Sequence, residues 1–282
     1  MAANTQKKRR TPKAFLKRYL RIMIGAFLIL ILLVMAVFAP LIATHDPNQI
    51  DMSAMLQAPS AAHLFGTDKV GRDVFSRIVY GAQISLLIGL GVQALSLVVG
   101  TVLGLICGYF RGADLVIMRI MEGLMAMPGL LLTFVMTSVL GTGVLNLIIS
   151  LSVGRIPSLC RTLRGQVLSL REKEYIESEK AMGATNIRTI FLHILPQCTN
   201  YLVLRFTTGI SGAIMAISSL AYLGVGLDAD IPNWGTIIAQ GQSYLMTKPY
   251  LVIYPGIMIS ITIFGFTMFG EGLREVLDPK LK

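Results

Sequence analysis

The 282 residues are 54% apolar and 14% charged, with a mean hydropathy of +0.68 and a formal net charge of +10. So apolar a chain cannot turn most of its surface to water, which excludes an ordinary soluble domain and makes lipid the solvent that fits. The basic excess is not gathered on a soluble face of the kind that grips nucleic acid, so it argues against a nucleic-acid partner.

Residues 1–21 are a basic segment. Lys7, Lys8, Arg9, Arg10, Lys13, Lys17, Arg18 and Arg21 precede any acid, the first being Asp46, and the positive-inside rule then puts the N-terminus in the cytoplasm. Phe15, Tyr19 and Ile22 recur at helical spacing while Lys13, Lys17 and Arg21 line another face. That pattern suits a helix lying on an anionic inner leaflet, and equally the plain basic flank of a span. Crossing a hydrocarbon layer of ~30 Å takes about 20 apolar residues, and the first such run is Ile22 to Ala43. It is longer than a secretory h-region and ends in FAPLIA without a small-x-small cleavage site, so an uncleaved anchor is expected.

Residues 45–80 are too polar for lipid. Asp68, Arg72 and Asp73 fall within one or two turns of each other there, as a network that holds the loop or as a docking surface, the former favoured. The second run, Ile84 to Phe110, carries Gly100, Gly104 and Gly108 at four-residue spacing, which lets another helix approach closely. That helix belongs to a partner or, preferably, to this chain.

The third run, Leu115 to Leu140, holds Glu122, Pro128 and a stripe of Met118, Met121 and Met125, a pattern that more often means packing than soft-metal binding. A fourth starts near Val144, ends before or soon after Arg161, and holds Arg155 and Pro157. A charge at mid-bilayer costs at least ~2.5 kcal/mol on insertion scales. Glu122 and Arg155 are at comparable depth, so they pair or share a polar cavity; otherwise Glu122 pairs with Arg119 at i−3 while Arg155 snorkels to the interface. Both prolines are expected to kink their spans and leave room for a pathway.

Between the fourth and fifth runs lies a charged loop, 172–196. Glu172 to Met182 reads as a polar helix from which Glu174 and Glu177 project, and Gly183 supplies the positive φ that ends it. Thr185 or Asn186 caps a second helix with Ile187, Ile190, Phe191 and Ile194 on one face, which Pro196 is expected to stop. Six bases between Arg161 and Asn200 put this loop on the same side as the N-terminus. It reads as a protruding lever, or as an ordinary amphipathic surface loop.

The fifth and sixth runs are Tyr201 to Val225 and Leu251 to Phe269. Pro232, Asn233, Trp234 and Gly235 break the loop between them, where the sole tryptophan anchors at the interface or helps close an outer gate. Six spans place both termini in the cytoplasm and divide the chain into 1–21, a first span with its outer loop (22–80) and a core (81–282). Cys107, Cys160 and Cys198 imply no disulfide framework, and His45, His63 and His193 are dispersed, so no metal is expected. No G-x-x-x-x-G-K-[ST] loop occurs and the dipeptide Gly-Lys is absent, so the chain has no Walker loop for nucleotide phosphates.

The stretch EYIESEKAMGATNIRTIFLHILP, residues 174–196, resembles the cytoplasmic EAA loop of ABC-importer permeases, with Ser178 and Glu179 standing in place of two alanines and His193 in place of isoleucine. LFGTDKVGRDVFSRIVYGAQISL at 64–86, RGQVLSLREKEYIE, the LGVG and NWG elements within 223–235, and LDP at 277–279 are similar to the C-type subunit of the dipeptide, oligopeptide and nickel permeases. The resemblance implies an all-α, multi-pass plasma-membrane protein with about six spans and the type I importer permease fold. Glu174, Glu177, Ser178, Glu179, Ala181, Gly183, Leu195 and Pro196 would be the ATPase-coupling residues, Glu177 the carboxylate that meets the ATPase. Glu122, Met125, Arg155 and Trp234 are candidates for the pathway or gate.

The implied partners are a second homologous permease, two ATPase subunits and an extracytoplasmic solute-binding protein. The implied cargo is a short peptide, with nickel or its chelate as the alternative. The chain itself would catalyse nothing and need no cofactor. An ion-coupled secondary carrier would require midplane carboxylates and a repeat relating two halves; Glu122 is the sole clear intramembrane acid, and no segment is duplicated. A non-transporting scaffold would leave the 174–196 loop without a purpose.

Overall fold

The computed structural model describes residues 12–228 and 230–277. The basic cluster Lys7 to Arg10, the side chains of Lys13, Phe15, Lys17 and Arg18, and the LDP motif of 277–279 lie outside the described set.

The described chain is helical: α1 (Pro12–Val37), α2 (Ala39–Ile42), α3 (Val74–Tyr109), α4 (Arg111–Met125), α5 (Gly129–Leu140), α6 (Val144–Arg171), α7 (Glu174–Ala181), α8 (Asn186–Arg188), a π-helical turn (Thr189–Ile194), α9 (Leu195–Tyr222), α10 (Trp234–Gly241) and α11 (Tyr250–Leu277). Five helices are long and apolar enough to cross a membrane, and α4 with α5 forms a sixth, bent candidate.

The helices outrun the apolar stretches that announce them. Helix α3 starts ten residues before Ile84, because Asp73 caps it by accepting from Ser76 N at 2.8 Å and because Val74, Ile78 and Ala82 bury against α1, α10 and α11. Its 36 residues rise about 54 Å, well past a hydrocarbon layer of ~30 Å. Helix α6 likewise runs ten residues beyond Arg161.

Gly100, Gly104 and Gly108 form a groove on α3 that Leu159, Leu163 and Val167 of α6 fill. A Cβ at Gly100 would stand 2.5 Å from Leu159 Cδ2, and one at Gly104 would stand 2.9 Å from Leu163 Cβ. The glycine stripe therefore serves this chain's own packing.

The third span departs from a continuous helix. It breaks at 126–128, and α4 and α5 meet at 94°. Pro128 has no N–H to return to the carbonyl four residues back, and it drives Met127 out of the helical region. Pro157 has the same defect yet lies inside α6, which continues past it. Met118 and Met121 of α4 bury against Cys107 and Cys160, so this part of the methionine stripe is packing.

Pro196 does not stop a helix. The Leu195 N–H bonds back to the Ile190 carbonyl, a five-residue step, so the ladder has already shifted register where Pro196 offers no donor, and α9 runs on to Tyr222.

Helices α1 and α11 pack antiparallel, with Arg21 Nη1 2.6 Å from Glu275 Oε1. Helices α9 and α11 do the same, since Gly270 lies against Thr207 and Thr208 while Ser211 reaches the Ile263 carbonyl. Both ends of the described chain and the 174–196 loop therefore lie at one end of the bundle.

Candidate functional site

At that end, α7 is pinned by one apolar residue. Ile176 is fully buried in a cluster with Leu105 and Tyr109 of α3, Leu163 and Val167 of α6, and Ile190, Ile194 and Cys198. Glu174, Glu177, Ser178, Ala181 and Gly183 remain exposed. Gly183 takes φ +89° and ends α7, with its N–H on the Lys180 carbonyl at 3.0 Å and the Ala184 N–H on that of Glu179 at 3.1 Å. Thr185 then caps α8 by accepting from Arg188 N at 3.4 Å.

Three groups converge on Tyr109. Its hydroxyl donates to Asn186 Oδ1 at 2.9 Å, its carbonyl accepts from Arg171 Nη1 at 2.8 Å, and the Lys180 ammonium stands 5.0 Å from its ring centroid. The ends of α3 and α6 on this side of the bundle are thus tied to both halves of the loop.

Glu179 differs from its neighbours. Its Oε1 lies 3.2 Å from His193 Nε2, off hydrogen-bond alignment, and only about a fifth of its side chain is exposed. That position joins two of the three departures from the EAA pattern, Glu179 and His193, in one contact, and it leaves Glu174 and Glu177 as the outward carboxylates of α7. Ile190 and Ile194 bury, whereas Ile187 and Phe191 do not, and Tyr175, Met182 and Leu192 are also exposed. Leu195 packs on the buried cluster, and Pro196 is exposed in the first turn of α9.

Glu122 and Arg155 do not meet. Glu122 Oε2 accepts from Arg119 Nη1 at 3.2 Å on the surface of α4, and Met125 is half-exposed just before the bend. Among the described residues Arg155 pairs with no acid; its guanidinium instead bonds to α3 and α9. Its Nη2 donates to the Gly209 carbonyl at 2.7 Å and to Gln93 Oε1 at 3.3 Å. Gln93, buried on α3, donates through Nε2 to the Arg205 carbonyl at 2.9 Å, and Arg205 Nη2 donates to Ser158 Oγ at 3.2 Å.

These groups and Ser96 line a cavity of about 230 Å³ enclosed by α3, α6 and α9. Sequence reasoning marked Arg155 alone of this set. The signals for the others were an amide in the middle of an apolar run and a cation, Arg205, a few residues inside the fifth span.

At the opposite end, Asp68 and Arg72 are buried and locked. Asp68 Oδ2 accepts from Arg72 Nε at 2.7 Å, Asp68 Oδ1 accepts from Arg72 N at 3.0 Å, and Arg72 Nη2 reaches Gln240 Oε1 at 3.0 Å. This is the holding network rather than an exposed dock. The fold also unites residues that look scattered in sequence: His45, His63 and Asp73 place one ligand atom each within 4.8 Å of one another, close enough to share a divalent ion, and His63 Nδ1 already stands 3.0 Å from Asp73 Oδ1. Trp234 does not sit at an interface. It is fully buried, and its Nε1 donates to the Ile78 carbonyl at 3.1 Å with the Gly81 backbone against its ring.

Residues 100–282 match the family described as "Binding-protein-dependent transport system inner membrane component", and residues 16–59 match the "N-terminal TM domain of oligopeptide transport permease C". The chain belongs to this family of multi-pass membrane permeases. It is 39% identical over 268 residues to the dipeptide transport system permease protein DppC of Alkalihalophilus pseudofirmus, covering 95% of this chain and 88% of the relative. It is 40% identical to the probable D,D-dipeptide transport system permease protein DdpC of Escherichia coli, covering 91% and 86%. It is 37% identical to the glutathione transport system permease protein GsiD of Pectobacterium atrosepticum, covering 96% and 90%.

Proposed function

We propose that this chain is the membrane-spanning permease subunit of an ATP-driven importer of short peptides. It forms half of the translocation pathway with a second, homologous permease. Two separate ATPase subunits dock on the 174–196 loop, and an extracytoplasmic solute-binding protein delivers cargo to the opposite end. The basic residues near the N-terminus and around the loop put that end in the cytoplasm. The chain breaks no bond in its cargo; it changes which side of the membrane the pathway faces.

The observation that carries this reading is α7. It is a short helix with two outward carboxylates, and it is tied through Ile176 and Tyr109 to α3, α6 and α9. A push on such a helix reaches three spans at once. Peptide cargo is supported by the names of the relatives and by the cavity, whose two guanidinium groups disfavour a bare metal cation.

The test is the complete importer reconstituted in vesicles with its ATPase and solute-binding partners. Glu177→Lys should leave ATP hydrolysis measurable while abolishing dipeptide uptake, or release the ATPase during purification. Uptake and hydrolysis both at wild-type levels would refute the docking role. Accumulation of peptide by vesicles holding this chain without an ATPase would refute the importer itself.

A further inference from the structure

We infer that the cavity between α3, α6 and α9 binds the carboxylate end of the cargo, with Arg155 and Arg205 as the recognising groups; this rests on the importer reading and specifies its substrate chemistry.

Depth comes first. Gln93 stands about midway along α3, and Arg155 and Arg205 each lie ten or eleven residues, about 15 Å of rise, inside the ends of α6 and α9. The cavity they line with Ser96 and Ser158 is therefore within the membrane-spanning part of the bundle, where each unpaired charge is costly.

The charge is not cancelled by the protein. The acceptors that Arg155 and Arg205 find are the Gly209 carbonyl, the Gln93 amide oxygen and the Ser158 hydroxyl, all neutral. Among the described residues neither arginine forms an ion pair, no acid lines the cavity, and both arginines line the same small space. Each guanidinium has five N–H donors in a planar fork, and these contacts use a minority of them. What relieves two crowded cations with spare donors is a planar anion that accepts in pairs, namely a carboxylate.

The site is built rather than incidental. Gln93 is buried and fixed at both ends of its amide, by the Arg205 backbone carbonyl and by Arg155, and so it ties the Arg155 guanidinium to the stretch of α9 that carries Arg205. Gly209 permits this: a Cβ there would run into the Gln93 amide. The Arg155 guanidinium lies beside Gly212 of α9, whose Cβ position is 3.4 Å from Nη1. A volume of about 230 Å³ lies under the ~300 Å³ at which pockets begin to enclose drug-sized ligands, so it admits an end group with its first side chain rather than a whole peptide. The selected feature is then the free C-terminus, with side chains left unread.

The experiment compares ATP-driven uptake of dialanine and of dialanine C-terminal amide by the complete reconstituted importer, as wild type, Arg155→Gln, Arg205→Gln, the double variant and Arg155→Lys. The solute-binding protein is the same throughout, so the change in the dialanine-to-amide ratio isolates the permease. The ratio should fall about tenfold in the double variant and much less in Arg155→Lys, since both charge-assisted partners are lost in the one, while the other keeps both charges and loses only the planar fork at position 155. An unchanged ratio with uptake retained overturns the inference.

Equal loss of both uptakes also overturns it. If the second permease then fails to co-purify, the carboxylate belongs to a partner side chain; if it co-purifies, the arginines are structural. Absence of ATP-driven uptake in the wild type is instead a failure of the importer reading. The site is then decided by titrating the purified permease pair with acetate and with dialanine: binding lost in the double variant upholds it, and binding equal in both proteins removes it.

Discussion

Tyr109 closes α3 and Asn186 opens α8, and a 2.9 Å hydrogen bond from the phenol to the amide oxygen joins them across the loop that Gly183 turns. Of the contacts between α3 and the segment after Gly183, this polar one is easily removed without changing shape. Tyr109→Phe keeps the ring against Lys180 and Phe110 and deletes the bond. Its direct cost should be about 1 kcal/mol, too small to unfold the chain. The expected result is an importer with near-normal thermal stability in detergent and more ATP hydrolysed per peptide taken up. An unchanged ratio would mean that force passes through the apolar cluster around Ile176 alone.

The groove on α3 gives a prediction about packing. At Gly108 an added Cβ collides with Val167, and the neighbouring carbonyl of Arg164 lies 3.0 Å from it, so α6 must move. Gly108→Ala should destabilise by about 1–3 kcal/mol as an overpacking change. Val167→Ala opens a cavity by itself and removes Cγ1, 2.6 Å from the added Cβ, but keeps its own Cβ, so it should restore only a small part of the stability of Gly108→Ala. Thermal unfolding of the two single variants and the double in detergent checks this. Additive losses would show that the two residues are not in contact.

The spans were legible from hydropathy and the bent 174–196 loop from residue spacing, because both depend on local pattern. Gly183 with its positive φ, the cap at Thr185 and the outward Glu174 and Glu177 all follow from short-range spacing. What spacing could not decide was the outcome at prolines, which have one chemistry and three fates here. Pro128 breaks a span, Pro157 is carried inside α6, and Pro196 is absorbed by a register shift one turn earlier. Depth along a span was equally misleading for charge. Glu122 and Arg155 sit at matching depths, yet α4 turns Glu122 to the surface beside Arg119, and Arg155 finds acceptors on α3 and α9. A cavity assembled by three helices needs their crossing geometry, which no single-helix pattern contains.

Trp234 is the single tryptophan, and its burial is directly measurable. Its emission should be blue-shifted, poorly quenched by acrylamide, and indifferent to exchange of detergent for lipid, since the ring touches Gly81 and the Ile78 carbonyl rather than the interface. Trp234→Ala should cost about 3–5 kcal/mol, the usual range for removing a buried large aromatic. Trp234→Phe should cost less, because only part of the ring volume and the Nε1 donor are lost. Strong acrylamide quenching in the folded state would contradict the buried position.

Gly183 offers a substitution in which backbone conformation is separated from crowding. Its φ of +89° is one that L side chains rarely adopt, yet a Cβ there would meet nothing within 4 Å. Gly183→Ala should therefore cost about 1–2 kcal/mol from the left-handed backbone alone. Gly183→Asn should cost less, because asparagine tolerates that region. The strain is relieved if α7 swings out of line, so the loss should fall on the lever more than on the bundle. Protease nicking between Lys180 and Arg188 should rise in Gly183→Ala while the thermal midpoint of the spans stays nearly fixed, and ATP-driven uptake should fall with it. Equal nicking in wild type and variant, with uptake intact, would show that the turn at Gly183 does not set the angle of α7, as the proposed ATPase docking requires.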